Sequence, residues 1–177
     1  MEDWAPFSNS EVEVGGYDLW CEDDYLSPFM AVMDNRLSGL LEVLPVSKED
    51  TLYDLGCGDA RVLIEFAKKG VKGVGVDLDE VQVTKASQKV QEAQLSHMVS
   101  VFQGNFLTID LSEATVIYVF LLPKALELLK HRFIEHMETG KLKLVVSILY
   151  EIPEWPYEVK EFSNISGFFY YKDTLTQ

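Results

Sequence analysis

Two glycines one residue apart, Gly56 and Gly58, stand between an apolar segment and an amphipathic one. Residues 51–55 read Thr-Leu-Tyr-Asp-Leu and predict a buried strand that carries one acid, Asp54. Apolar residues then recur at helical spacing over 62–70, where a glycine is placed to end a helix. A strand, a glycine loop and a helix in this order let a ligand approach bare backbone at the carboxyl end of a parallel strand.

A second acid, Asp77, ends the next predicted strand, whose residues 72–76 read Lys-Gly-Val-Gly-Val. A carboxylate at the carboxyl end of a strand beside such a loop can accept hydrogen bonds from both hydroxyls of a ribose. The segment therefore predicts a βαβ unit that binds a nucleoside. The dinucleotide fingerprint needs a third glycine, and Arg61 stands at that position. A nicotinamide-dependent enzyme is thus disfavoured and remains an alternative.

The segment Asp54-Leu-Gly-Cys-Gly-Asp-Ala resembles motif I of the class I, seven-strand S-adenosylmethionine methyltransferases. The resemblance implies that the loop backbone follows the methionine part of that cofactor and that the first acid organises the loop. It implies an acid on the ribose at the end of the second strand. The cofactor-binding residues expected in this part of the chain are Asp54, Gly56, Cys57, Gly58, Asp77 and Leu78.

A third motif, Gly104-Asn105-Phe106, follows a predicted strand at 99–103. It resembles the next motif of the same family, in which a polar side chain meets the adenine amino group and an apolar neighbour covers the ring. Many members carry aspartate where this chain has Asn105, but an amide oxygen also accepts a hydrogen bond. Tyr118, in the fourth predicted strand, is expected to face the core or the cofactor.

The remaining elements predict an α/β, Rossmann-like doubly wound sheet. Helices are expected over 29–44, 79–93 and 123–139, and strands over 114–120 and 142–149. An antiparallel hairpin is expected over 158–172, with its loop at 163–166. Parallel strands that end in such a hairpin match the family's strand order, 3-2-1-4-5-7-6. We expect one methyltransferase domain over 29–177, preceded by an acidic arm or lid over 1–28.

The charge of the chain is uneven. The formal net charge is −14, and residues 1–35 carry nine acids but no lysine or arginine. An acidic surface repels phosphates, which disfavours nucleic acid as a partner and favours a basic protein segment. The acids could instead only keep this first segment soluble. At 47% hydrophobic residues the chain is expected to fold into a globular core.

Other classes of protein are disfavoured by what the sequence lacks. No apolar run is long enough to cross a bilayer, and the first residues show neither a signal peptide nor a mitochondrial presequence. The cysteines, Cys21 and Cys57, and the histidines have no spacing typical of a metal site. We therefore expect an intracellular, cytoplasmic protein without a metal or a membrane anchor.

The acceptor side resembles a small group of seven-strand protein-lysine methyltransferases that act on the ATP synthase c-subunit and the adenine nucleotide translocase. The resemblance rests on four features of the sequence: the segment Tyr25-Leu-Ser-Pro28, the motif I loop, the strand end Tyr118-Val-Phe-Leu-Leu-Pro123, and Ser147 with the segment Ile152-Pro-Glu-Trp155. The Asn-Pro-Pro-Tyr motif, typical of methyltransferases acting on planar nitrogens, is absent. Family loops often read Gly-Ser-Gly-Asp-Gly and the acid that follows is often glutamate, so Cys57, Ala60 and Asp77 are departures.

The resemblance implies Tyr25 and Ser27 near the methionine end of the cofactor, and Pro123 and Trp155 at the acceptor. The expected activity is methyl transfer from S-adenosylmethionine to a lysine of a protein. No residue stands out as a general base, so no catalytic residue is assigned. A methyltransferase for RNA or a small molecule, and an inactive cofactor-binding partner subunit, remain alternatives.

Overall fold

The structure is a computed structural model and describes residues 34–174. The predicted arm 1–28, with Tyr25 and Ser27, and the start of the first predicted helix lie outside the described residues. The elements in chain order are α1 (Asp34–Val43), β1 (Thr51–Leu55), α2 (Arg61–Lys68), β2 (Lys72–Asp77), α3 (Glu80–Glu92), β3 (Val99–Gln103), β4 (Val116–Val119), α4 (Pro123–Thr139), β5 (Leu144–Ile148), β6 (Glu158–Phe162) and β7 (Ile165–Tyr171).

The strands form one sheet in the order β3-β2-β1-β4-β5-β7-β6. The first five pair in parallel, and β7 is antiparallel to both β5 and β6. This is the predicted α/β architecture with its C-terminal hairpin, and the prediction is confirmed. Parallel neighbours place the carboxyl ends of β1 to β5 along one edge, where ligands bind in folds of this kind.

The core lies on both faces of the sheet because the central strands are apolar on both sides. Every residue of β4 and β5 is buried, as expected for strands covered on both faces. One cluster joins the sheet to α1, α2 and α3, and the other joins it to α4. Within residues 34–174, α4 is therefore the one helix on the second face, and the links 104–115 and 149–157 contain no helix.

The hairpin turn is tighter than the sequence predicts. The expected loop spans 163–166, but β7 already begins at Ile165, which is the register partner of Phe162. Only Ser163 and Asn164 form the turn, and both have positive φ, 47° and 61°. Positive φ at both central residues is typical of the two-residue turn that matches the twist of an antiparallel pair.

No helix within residues 34–174 is long and apolar enough to span a bilayer.

Gly75 lets the glycine loop pack directly on β2. A Cβ atom at this position would lie 2.7 Å from Sγ of Cys57 and 2.9 Å from Cδ1 of Leu63. Both neighbours are buried. The alternation of glycine and valine in β2 therefore leaves space on one face for the loop and for α2.

We predict that Gly75→Ala lowers the free energy of unfolding by about 1–3 kcal/mol, because the added methyl overpacks a filled site. Gly104→Ala is the matched control, since its Cβ would meet only Val76, at 3.7 Å. Urea denaturation measures both. Adding Cys57→Ala to Gly75→Ala removes the shortest contact and is expected to recover part of the loss; equal stability of Gly75→Ala and wild type would contradict this packing.

Candidate functional site at the carboxyl edge of the sheet

The glycine loop is tied to β2 by its backbone. The N–H groups of Gly56 and Cys57 donate to the carbonyl of Val76 at 2.8 and 3.0 Å, and the N–H of Gly58 donates to Oδ2 of Asp77 at 2.8 Å. Gly56 and Gly58 have φ of +84° and +50°, a region that glycine adopts without a steric penalty. The loop is thus fixed along the strand end, and Cδ2 of Leu121 lies 3.0 Å from the position that a Cβ of Gly56 would occupy.

Asp77 also has a structural role, which its position in the sequence does not indicate. Its Oδ2 accepts from Gly58, and its Oδ1 accepts from the N–H of Asp79 at 3.0 Å. Burial raises the pKa of Asp77 above its usual value, against the lowering effect of these hydrogen bonds. Each carboxylate oxygen has a second lone pair, so the group can still accept from a ligand.

Asp59 also anchors the loop, although it is not among the site residues predicted from the sequence. Its buried carboxylate accepts from Nε and Nη2 of Arg61 at 2.9 and 2.7 Å and from Nζ of Lys89 at 2.6 Å. Burial alone would raise the pKa of Asp59, but the hydrogen bonds from Arg61 and Lys89 lower it to about 2. The group joins α2 to α3 behind the loop. Its place inside the quoted motif was the signal available in the sequence.

Asp54 is a buried acid with no compensating cation in the part of the chain that the structure describes. Its side chain is 3% exposed, and no hydrogen bond to its carboxylate occurs among residues 34–174. Burial, with repulsion from Asp77 and Asp59, raises the pKa of Asp54 well above its usual value. Such a group is stabilised by a cation or by hydrogen-bond donors brought by a ligand.

Tyr118 lies beside Asp54, because the two are register partners on β4 and β1. The tyrosine is 1% exposed, and its hydroxyl has no hydrogen-bond partner among the described residues. Burial and the neighbouring Asp54 raise the pKa of Tyr118 well above its usual value, so the hydroxyl keeps its proton. A buried hydroxyl without a partner is unfavourable by about 1–3 kcal/mol, and a ligand at this position would remove that penalty.

The segment after β3 is held by a residue distant in the sequence. Arg132 of α4 donates to the carbonyls of Phe106 and Ile109, at 3.0 and 2.5 Å. Asn105 is exposed, and its Oδ1 accepts from the N–H of Leu107 at 2.9 Å. The amide group of Asn105 keeps free donor and acceptor capacity for a ligand. Nothing in the sequence signals the contact of Arg132.

The predicted acceptor residues lie beyond β4 and β5. Pro123 is the first residue of α4 and is half-buried. Trp155 is 4% exposed, and its ring stacks on Tyr170 with centroids 4.6 Å apart. The indole N–H of Trp155 has no hydrogen-bond partner among the described residues. The hydroxyl of Tyr170 accepts from the N–H of Ile152 at 2.5 Å.

Cys57 and the acids do not form a metal centre in the part of the chain that the structure describes, where no cluster of three or more ligating side chains occurs. Burial, followed by repulsion from Asp54, raises the pKa of the Cys57 thiol. The thiol therefore stays protonated, and its small side chain fills the space beside Gly75.

Comparison with known proteins gives the family. Residues 54–159 match the model described as the ANTKMT methyltransferase domain. A protein-lysine N-methyltransferase of Saccharolobus islandicus is 36% identical over 135 residues, which are 75% of this chain and 83% of that protein. A ribosomal protein L11 methyltransferase of Alkaliphilus oremlandii is 32% identical over 85 residues, but the chain spans only 27% of it.

Among solved structures, an RNA methyltransferase from Salinibacter ruber in complex with S-adenosyl-L-homocysteine superposes with a TM-score of 0.73. It is 29% identical, and the match covers 80% of this chain and 93% of the other. Fold, sheet order and similarity thus define an S-adenosylmethionine-dependent methyltransferase of the seven-strand class. Within that class, the chain belongs to the family of the ANTKMT methyltransferase domain.

We predict that Asp54→Asn makes the protein without cofactor more stable than wild type at neutral pH. A buried carboxyl with a raised pKa binds its proton more tightly when folded, so its contribution to stability falls as pH rises above about 3.9, the ordinary pKa of aspartate. Asparagine has no such proton. Chemical denaturation at several pH values from 4 to 8 measures the difference between variant and wild type; a difference independent of pH would contradict the buried charge.

Proposed function

We propose that the cofactor lies along the carboxyl edge of the sheet, with its methionine part over the 56–58 loop, its ribose at Asp77 and Leu78, and its adenine between Asn105 and Phe106. Two observations support the fit. The buried hydroxyl of Tyr118 has no partner among the described residues, and the buried carboxyl of Asp54 has neither a cation nor a donor there.

S-adenosylmethionine supplies a methyl group on a positively charged sulfur. The role of the chain is to hold the acceptor nitrogen in line with the reacting bond, and such positioning can supply about 7–11 kcal/mol of the barrier reduction. Asp54 would offset positive charge of the cofactor, and Tyr118 would hydrogen-bond its methionine end. Asp77 would accept from the ribose while it continues to hold Gly58.

We infer that the acceptor is a lysine of a protein, in a segment of basic character. The observation that carries this inference is the similarity, over three quarters of the chain, to the protein-lysine N-methyltransferase of Saccharolobus islandicus. The site offers a suitable surface. The strand end 119–123 is apolar where other methyltransferases carry a carboxamide, and the ring of Trp155, in the link after β5, stacks on Tyr170 of β7.

A lysine must be neutral to act as a nucleophile, although its ordinary pKa is about 10.4. Removing water from the amine favours the neutral form. We propose that the buried ring of Trp155, in the link after β5, takes part in this, and that Pro123 also contacts the acceptor. The chain then needs no dedicated general base, and none is assigned.

RNA is the second candidate acceptor, because the Salinibacter ruber structure is that of an RNA methyltransferase. The formal net charge of −14 opposes it, since affinity for RNA depends mainly on cations that neutralise phosphates. A protein acceptor is therefore favoured.

We predict that Tyr118→Phe weakens the binding of S-adenosylmethionine about 5- to 10-fold, the loss of one hydrogen bond of roughly 1–1.5 kcal/mol. The variant without cofactor should be no less stable than wild type, because the deleted hydroxyl has no partner among residues 34–174. Titration calorimetry and urea denaturation measure the two effects. Unchanged affinity would place the hydroxyl outside the cofactor site.

We predict that a cell lysate treated with the protein and tritiated S-adenosylmethionine carries label in its protein fraction, on methylated lysines identified by mass spectrometry. Asp54→Asn is the negative control, since it should bind the cofactor poorly. Label confined to the RNA or metabolite fraction would refute the lysine proposal and leave the cofactor site intact.

A further inference from the structure

A row of aromatic side chains leads from the acceptor side to the edge of the sheet. Trp155 stacks on Tyr170, and Tyr157 meets Tyr170 and Phe168 edge-on, with centroids 5.7 and 5.1 Å apart. Val159 is the register partner of Phe168. Tyr157 and Val159 are 41% and 46% exposed. The row therefore ends on open apolar surface, formed by Tyr157, Val159 and Phe168 and called here the β6 face.

The topology explains why the β6 face is uncovered within residues 34–174. The link 149–157 between β5 and β6 contains no helix, and α4 packs over the central strands. On the other face of the sheet α1 does cover β6, where Phe162 lies close to Gly39. In the described part of the chain β6 is also the last strand of the sheet.

The surroundings of the β6 face are acidic. Residues 149–163 carry four glutamates and a single lysine, Lys160. That lysine is engaged elsewhere, 4.7 Å above the ring of Phe169 and 3.8 Å from Glu158. The side chain of Glu154 is 92% exposed, and its carboxylate lies 3.9 Å from Nζ of Lys130, which also donates to the carbonyls of Pro153 and Glu154. An apolar patch with an acidic rim is complementary to a segment that carries both apolar and basic side chains.

The same glutamates disfavour binding of the β6 face by residues 1–35 or by a second copy of the protein. Residues 1–35 hold nine acids and no lysine or arginine, so this segment would be repelled by the glutamates. A second copy carries a net charge of −14 and meets the same repulsion. A basic partner would instead be attracted by these glutamates.

We propose that the β6 face docks the part of a protein substrate that flanks the methylated lysine, a segment with basic and apolar side chains. The proposal rests on the proposed function, lysine methyl transfer. The aromatic row connects the docked flank to Trp155, so binding at the edge places the neighbouring lysine at the acceptor side. The outer edge of β6 offers backbone groups with which an extended segment can pair.

The test uses synthetic peptides with one lysine, flanked by arginine and leucine, by aspartate and leucine, or by serine. We expect wild type to methylate the arginine-flanked peptide at least tenfold more efficiently than the others, measured as kcat/KM with tritiated S-adenosylmethionine. Val159→Lys and Glu154→Lys should each lower that kcat/KM at least tenfold. Their affinity for S-adenosylmethionine in calorimetry should stay within twofold of wild type.

Two controls match these changes at distant positions. Leu128→Lys alters an exposed apolar residue of α4, and Glu92→Lys alters an exposed acid at the end of α3; both should stay within twofold of wild type. Raising the salt concentration should lower kcat/KM more in wild type than in Glu154→Lys, because salt screens the attraction.

The outcomes separate the docking proposal from the proposed function. Equal kcat/KM in wild type, Val159→Lys and Glu154→Lys, with the arginine-flanked peptide methylated, would overturn the docking surface alone. Methylation of lysines in lysate proteins with none of the peptides labelled would also overturn it and leave the lysine activity standing. Label found only in RNA or metabolites would overturn both.

Discussion

The contact between the glycine loop and β2 is the constraint on which the rest of the site depends. The carbonyl of Val76 and the carboxylate of Asp77 accept three N–H groups of the loop, and Gly75 removes the side chain that would hold the loop away. The same strand therefore carries the loop, positions it and provides the acid expected at the ribose. A displacement of β2 would therefore move the glycine loop and Asp77 together.

Three acids lie at this edge of the sheet, and their hydrogen-bond and ion-pair partners differ. Asp59 is paired with Arg61 and Lys89 and stays ionised. Asp77 is bound by two backbone N–H groups, whereas Asp54 has neither cation nor donor among the described residues. The carboxyl of Asp54 thus lies unpaired beside the unpaired hydroxyl of Tyr118. This arrangement lowers the stability of the fold and suits the site to a polar, positively charged ligand.

The sheet could be predicted from the sequence because its buried strands are short apolar runs, and because β1 is followed by Gly56 and β2 ends at Asp77. The hairpin followed from alternating aromatic residues, although its two-residue turn did not. Contacts between distant side chains could not be predicted. Arg132 reaches Phe106 across 26 positions and Lys89 reaches Asp59 across 30, and such pairs leave no local pattern. The roles of the site residues toward cofactor and acceptor stay predictions.

The acidic rim of β6 has a second consequence, for how copies of the protein behave toward one another. A terminal strand with exposed Tyr157 and Val159 is the kind of edge on which sheets of separate molecules join and aggregate. Charged residues along such a strand prevent this in natural sheet proteins. In β6, Glu158 directly precedes Val159 and Glu161 directly precedes Phe162, so the charges that would attract a basic partner also keep like molecules apart.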